Sequence, residues 1–308
     1  MSKHNKKGTP LSLAERAKAK FYVYNVKEPV TLIDFLMKAR DGISRTTAKN
    51  LLSKRVVYVD HVITTRHDHE LKPGMKVQIS KNKGQREFND RQIKLVYEDS
   101  YILVVEKKEG LLTAGTEKKE RSVVSVMTEY IHRTVKNRRA YPLYRLDKDV
   151  SGLLLLAKDE KTKATLLDYW HEIIIKNTFI AAVSGDVEQD KGAFTSWIKD
   201  GKVYTSPTVL SNKDGEKATT YYKTIKRANG YSLVECDLGT GRKNQIRSHL
   251  AELGHPVLGD DKSGNAVNPV GRLALHAFRI HFRHPITGET MKFETPYPSS
   301  FKKLFIKQ

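Results

Sequence analysis

The chain has 308 residues, with 55 Lys and Arg against 35 Asp and Glu, a formal charge of +20 and 39% hydrophobic residues. That length accommodates two domains, and the positive excess selects a polyanion as partner, with nucleic acid the first candidate. No apolar run is long enough to span a membrane and none near Met1 resembles a secretion signal, while the single Cys236 makes no intrachain disulfide, so a cytoplasmic protein is expected.

In chain order, residues 1–20 read as a basic arm through Lys3, Lys6 and Lys7, with Ser12 to Glu15 capping a short helix to about Lys20. From Phe21 to Ser80 the pattern is a small α/β unit. Thr31-Leu-Ile-Asp34 predicts a capping box opening a helix through Phe35, Leu36 and Met37, and Ile43-Ser44-Arg45 begins a second helix through Ala48, Leu51 and Leu52. Val56, Val57 and Val59 predict one strand and Val77 to Ile79 another, with Pro73-Gly74 as the turn before it. The arrangement resembles the S4 RNA-binding domain, although Asp60-His61 stands where that pattern has Asn-Gly and Met75 where it has Asp, which weakens the hairpin signal. Arg45, Lys49, Lys54 and Arg55 would share one eleven-residue helix and contact phosphate. Further clusters run from Lys81 to Arg91, Lys118 to Arg121 and Lys136 to Arg139, so the charge is distributed rather than confined to a tail. The polar, Gly84-containing stretch at 81–90 reads as a linker, giving an arm at 1–20, an S4-like domain at 21–83 and a larger domain at 84–308.

In the larger domain, Tyr144-Arg-Leu-Asp-Lys-Asp-Val-Ser-Gly-Leu-Leu-Leu-Leu-Ala-Lys158 places a charged turn at the mouth of a non-alternating apolar strand, the pattern of a strand covered on both faces. Asp147 then sits at a cleft edge, its ionised form favoured by Arg145 and Lys148, the state that a nucleophile needs. The plain alternative is a solvated turn. Asp147 and Asp149 are a poor glycosidase pair, since residues two apart on an extended segment diverge from the geometry required. His276, His281 and His284 lack the Cys or carboxylate that would complete a zinc set, and the 259–264 run lacks Walker spacing, so no metal and no cofactor is implied. Cys236 reads as a packing residue of a strand.

The 144–158 segment resembles the Arg-Leu-Asp motif of RluA-type pseudouridine synthases. Gly239-Thr-Gly-Arg-Lys-Asn-Gln-Ile-Arg-Ser-His249, Leu253 to Asp260, Arg272 to Ala277, His284 to Glu289 and the Val96 to Lys107 strands are similar to further segments of that family, in the same order. The resemblance covers about residues 88–300. It implies an α+β pseudouridine synthase fold with a mixed, largely antiparallel sheet, and isomerisation of uridine in RNA without a cofactor. By the same resemblance Asp147 attacks the ribose at C1′ or triggers formation of a glycal, Arg247 pairs with it, Arg145 fills the space of the extruded base, Arg242 contacts phosphate or shapes its turn, and Phe179 stacks on uracil where the family has Tyr. Phe cannot exchange a proton, so the contribution proposed for that hydroxyl is absent here, and packing is the alternative for the ring. Tyr144 for His, Val150 for Thr, Asn244 for His and Lys108 for Pro are further departures, none of which removes the carboxylate. An S4-like domain in this family points to large-subunit ribosomal RNA, and a monomer is expected. The rival is a non-catalytic RNA-binding or ribosome-assembly factor that retains the fold, and turnover by Asp147 separates the two.

Overall fold

The structure is a computed structural model that describes residues 21–39, 42–80, 88–115, 117, 120–133, 135, 137–199, 202–204, 216–263 and 267–306, with the backbone alone at 199 and 202–204. The basic arm and its capping box, the 83/84 boundary, and the clusters at 81–87, Lys118 and Lys136 lie outside the described residues. Contacts divide the chain into two compact units. One comprises the described residues up to Asn89 with Tyr97–Tyr101 and Thr128–Arg139, and the other Asp90–Val96, Ile102–Met127 and the described chain from Ala140 onward.

The N-terminal part contains β1 (Phe21–Asn25), β2 (Val30–Thr31), α1 (Leu32–Ala39), α2 (Arg45–Ser53), β3 (Val57–Val59), β4 (Val62–Ile63), β5 (Glu70–Leu71) and β6 (Lys76–Ser80). The strands form a four-stranded sheet ordered β1-β6-β3-β4 and a separate β2-β5 pair. Thr31 caps α1, its hydroxyl accepting from Asp34 N and donating to the Asp34 carboxylate, and Ser44 caps α2 by accepting from Thr47 N. Leu32, Ile33, Leu36, Ala48, Leu52, Val57, Val77 and Ile79 pack into one core, the apolar stripes of both helices closing on the sheet. Two expectations need correction. The α2 helix ends at Ser53, so Lys54 is its C-cap and Arg55 takes φ +56 beyond it, leaving only Arg45 and Lys49 of the four basic residues within the helix. The β3–β4 hairpin forms without Asn-Gly, because Asp60 and His61 both adopt positive φ, +45 and +73, and the Asp60 carboxylate offsets the strain by accepting from Lys76 N at 2.8 Å.

The remaining elements are β7 (Ile93–Glu98), β8 (Ile102–Lys107), α3 (Val123–His132), β9 (Tyr141–Pro142), β10 (Ser151–Ala157), α4 (Glu160–Asp168), α5 (Trp170–Ile173), β11 (Ile174–Ser184), β12 (Lys191–Lys199), β13 (Lys202–Tyr204), β14 (Glu216–Ala228), β15 (Tyr231–Leu238), α6 (Gln245–Glu252), β16 (Leu275–Arg283), β17 (Thr290–Glu294) and α7 (Ser299–Lys303). Their strands form one sheet in the order β13-β12-β14-β15-β11-β16-β10-β8-β7, with β17 on β16 and β9 on β10. The β10–β16 pair is parallel, whereas β8–β10, β11–β15, β11–β16, β12–β14 and β14–β15 are antiparallel. This is the α+β architecture with a mixed, largely antiparallel sheet that the sequence predicts.

All seven residues of β10 are buried, as its unbroken apolar run requires. Gly152 lies inside this strand rather than before it, between Lys107 of β8 and Ala277 of β16. Its φ is +120, and a Cβ there would stand 2.2 Å from the Ala277 carbonyl oxygen, so only glycine lets β10 join β16 at the strand end that leads from Asp147.

Candidate active site

A cleft of about 740 Å³ opens beside the Leu143–Val150 loop, and its lining includes Arg145, Asp147, Asn177, Phe179, Arg242 and Arg247. Five of the residues singled out in the sequence therefore meet in one place. Arg45, Lys49, Lys54 and Arg55 belong to the other unit, with the first three exposed and Arg55 half-buried.

The Asp147 loop is held on both sides of the carboxylate. The Thr113 hydroxyl donates to Leu146 O at 2.7 Å and accepts from Leu146 N at 3.0 Å. Lys148 O accepts from Gly110 N at 2.9 Å and from the Lys107 ammonium at 2.9 Å. Lys107 is fully buried and also donates to Leu111 O and Lys108 O, gathering three loop carbonyls around one charge. Burial pushes its pKa down to about 8, against the pull of Asp149 and Glu109. Asp147 itself is half-exposed, as a group that must meet a ligand has to be, whereas Asp149 is exposed and does not line the cleft.

The cation that touches Asp147 is Arg247, through Nη1 to Oδ2 at 3.2 Å. Arg145 is exposed and forms no ion pair with a carboxylate among the described residues. Arg247 is buried on the first turn of α6, and its fork is divided between two carboxylates. Nε and Nη2 bind both oxygens of Asp260, and Nη1 alone is shared between Asp147 and Asn244 Oδ1, the latter at 3.3 Å. Asp260 is fully buried, and Gly259 before it takes φ +70 with no room for a Cβ, which would lie 2.4 Å from Arg272 O. Burial works against the guanidinium charge, but its hydrogen bonds and charge interactions with Asp260 and Asp147 outweigh it and hold the pKa of Arg247 above its ordinary value.

The Gly239–Asn244 turn is fixed by Gln245. Its side-chain oxygen accepts from Thr240 Oγ1 and Arg242 N, and its amide nitrogen donates to Thr219 O and Thr220 Oγ1. Asn244 takes φ +57 at the N-cap of α6, a conformation that asparagine tolerates. Arg242 pairs with Glu216 at 2.9 Å, so in this structure it is engaged rather than free for phosphate. Phe179, 6% exposed, projects from β11 between Cys236 of β15 and Ala277 of β16.

The profile of the family described as RNA pseudouridylate synthase matches residues 101–252. A Bacillus subtilis protein, the uncharacterized RNA pseudouridine synthase YlyB, is 30% identical over 280 residues, covering 88% of this chain and 91% of its own length. The chain belongs to the RluA-type RNA pseudouridine synthases. It is likewise similar to the ribosomal large subunit pseudouridine synthase C of Rickettsia felis, 33% identical over 232 residues covering 71% of this chain and 75% of that one. The solved human RNA pseudouridylate synthase domain containing 4 shares the fold at a TM-score of 0.55 and 20% identity, covering 68% of this chain and 90% of that one.

In this pseudouridine synthase, sequence reasoning missed Asp260, Lys107 and Thr113 as parts of the site. Asp260 closes the Leu253 to Asp260 segment, and its signal is an acidic residue directly after Val257-Leu258-Gly259. Lys107 ended an apolar strand, where a lysine is out of pattern. Of the histidines weighed for metal, His276 and His284 are hydrogen-bonded within the protein, and the buried Nε2 of His281 has no hydrogen-bond partner among the described residues. His276 is buried between Ser151 Oγ and Thr295 Oγ1, each at 2.7 Å, and burial, aided by Arg272, pushes its pKa down to about 3. His281 faces Glu294, and His284 Nδ1 accepts from Ile286 N and Thr287 N in a turn. Among the described residues no group of three His, Cys, Asp or Glu stands together as a metal site, and no helix is long and apolar enough to cross a membrane. Cys236 is buried, and that burial, followed by Asp237 and Glu235, pushes its thiol pKa up.

Proposed function

We propose that this enzyme isomerises a uridine of large-subunit ribosomal RNA in the cytoplasm, with Asp147 as the group that acts on the ribose. The single observation that carries this reading is the half-exposed Asp147 carboxylate held by Arg247 in the cleft that Phe179 lines. The target nucleotide is extruded, at a cost of roughly a few kcal/mol in unstacking, and Arg145 occupies the place it leaves. Asp147 stabilises the positive charge that develops at C1′ as the N1–C1′ bond breaks, or bonds to the sugar directly. The detached uracil turns so that C5 meets C1′. The C5–C1′ bond forms, the C5 proton leaves to solvent and N1 takes up a proton, so the base is isomerised with no change in composition. Phe179 supplies a stacking face and no proton transfer. Arg242 and the Gly-Thr-Gly turn approach the RNA backbone once Glu216 releases the guanidinium.

Residues 21–83 act as an S4-like RNA-binding domain attached to the catalytic domain at 84–308, and Arg45, Lys49, Lys54 and Arg55 contact phosphate. The substrate assignment is supported by the ribosomal naming of relatives such as the Rickettsia felis protein and by the chain's net charge of +20. Pseudouridine mapped across total RNA should show a large-subunit site lost in cells lacking the gene, regained with the wild-type gene and not with Asp147→Asn. A profile unchanged by deletion contradicts the substrate assignment.

A further inference from the structure

Residue 177 stands two positions before Phe179 on β11, and both line the cleft, so they project from the same face of the strand. Thr178 between them points the other way and donates its hydroxyl to Asp237. The side-chain oxygen of Asn177 is buried and has no hydrogen-bond donor among the described residues. A buried acceptor without a donor is costly and is kept where a ligand completes it. Most of the other polar side chains lining the cleft offer donors: Arg145, Arg242, Lys243 and Arg247 are cations, and the Asp147 oxygen Oδ2 is already held by Arg247.

Uracil joined to ribose through N1 carries one N–H, at N3, flanked by the O2 and O4 carbonyls. We propose that Asn177 is a specificity-determining residue whose Oδ1 accepts the N3–H of the extruded uracil while Phe179 covers the face of the ring. This rests on the uridine-isomerase reading and deepens it. The exchange of N1 for C5 at the sugar is a half-turn of the base about the line through N3 and C6. N3–H lies on that line, so one acceptor holds it before and after the turn, while O2 and O4 change places. An acceptor facing N3 therefore retains the base during the step in which it is bonded to nothing else. Cytosine is refused by the same atom, because its N3 carries a lone pair where uracil carries a proton.

The test uses the full-length enzyme and short RNAs carrying the mapped uridine, tritiated at C5, with or without a methyl group on N3. In the wild type, N3 methylation should slow single-turnover tritium release roughly ten- to a hundredfold. Asn177→Ala should slow release from the unmethylated RNA by a similar factor, leave RNA affinity and Tm near wild type, and lose most of the additional methylation penalty, since both changes remove the same bond. If Ala lowers Tm, Asn177→Leu preserves the volume without the acceptor, and Asn177→Asp, which keeps an acceptor oxygen, should recover part of the rate. Wild-type rates in the Ala and Leu variants, or a methylation penalty equal in variant and wild type, overturn the assignment alone. No release from unmethylated RNA by the wild type overturns it together with the isomerase reading.

Discussion

The Leu143–Val150 loop and the basic face of α2 are both charged, yet they are built in opposite ways. Around Asp147 each neighbouring peptide has a named partner, and the partners are buried: Thr113 on Leu146, Lys107 on Lys148, and Arg247 on the carboxylate itself, backed by Asp260. On α2, Arg45 pairs with Asp34 at 3.8 Å between two exposed side chains, and Lys49 is exposed. Bond-breaking at one carbon requires a carboxylate placed to a fraction of an ångström, whereas attraction to a phosphate backbone requires net charge over an area. Substitutions near Asp147 should therefore act through geometry, and those on α2 through ionic strength.

The largest effect is expected from Asp260→Ala. Removing it leaves the buried Arg247 charge compensated only through its shared Nη1, which should cost about 3–5 kcal/mol in urea unfolding together with most of the turnover. Adding Arg247→Met should restore stability but not turnover, because the pair can be replaced by apolar groups while Asp147 cannot then be oriented. If the double variant is as unstable as the single one, the buried charge is not the cause. Arg247→Lys retains charge but cannot serve two carboxylates with one planar fork, and its single-turnover rate should fall roughly ten- to a hundredfold.

Next in size is the loss of Lys107. Lys107→Met leaves Leu111 O and Lys108 O without its ammonium and should cost about 1–3 kcal/mol with a further fall in rate as Lys148 loosens. The pH dependence has a definite sign. The folded pKa lies at about 8 against 10.5 for an ordinary lysine, so the unfolded chain binds more protons in that window and this group makes stability rise with pH between those values. The Met variant should lose that rise. Two buried histidines act at the acid end. His249 at about 4 and His276 at about 3 stay neutral in the fold and protonate near 6.5 once it opens, so the stability they contribute is present above pH 6.5 and falls away as pH drops below it. Tm measured from pH 7 to 5 should fall, and His276→Gln should flatten that fall; an unchanged slope removes His276 from the account.

These groups also mark the limit of what the sequence made legible. Asp147, Arg145, Arg242 and Arg247 lie in contiguous motifs and Phe179 follows from the family resemblance, the five meet in one cleft, and the buried strand β10 is evident from its unbroken apolar run. Thr113 and Lys107 were not found because their partners lie 33 and 41 residues away, a proximity created by the pairing of β8 with β10. The pairing of Arg247 with Asp147 is legible in the sequence, but nothing local indicates that Asp260, thirteen residues on and wholly buried, takes the bidentate edge of the guanidinium. The β3–β4 hairpin was underestimated for a related reason. Its turn residues are poor by type, and the tertiary bond from Lys76 N to Asp60 compensates.

The smallest effects belong to α2. Lys49→Gln and Arg45→Gln should each change stability by no more than about 0.5 kcal/mol and lower the log–log salt slope of RNA binding by roughly 0.7–0.9, leaving single-turnover rates at saturating RNA untouched. A salt-independent affinity for the wild type would remove the contrast between the two regions.

The central claim is that the Asp147 carboxylate carries out the chemistry. Release of tritium from C5-labelled uridine in ribosomal RNA, followed for wild type and Asp147→Asn side by side, addresses it directly. Asn keeps the shape and a hydrogen-bonding oxygen for Arg247 but supplies no negative charge or nucleophile. The account predicts no release above background from the variant, with RNA affinity equal to or slightly above wild type. Equal release from both proteins would contradict it.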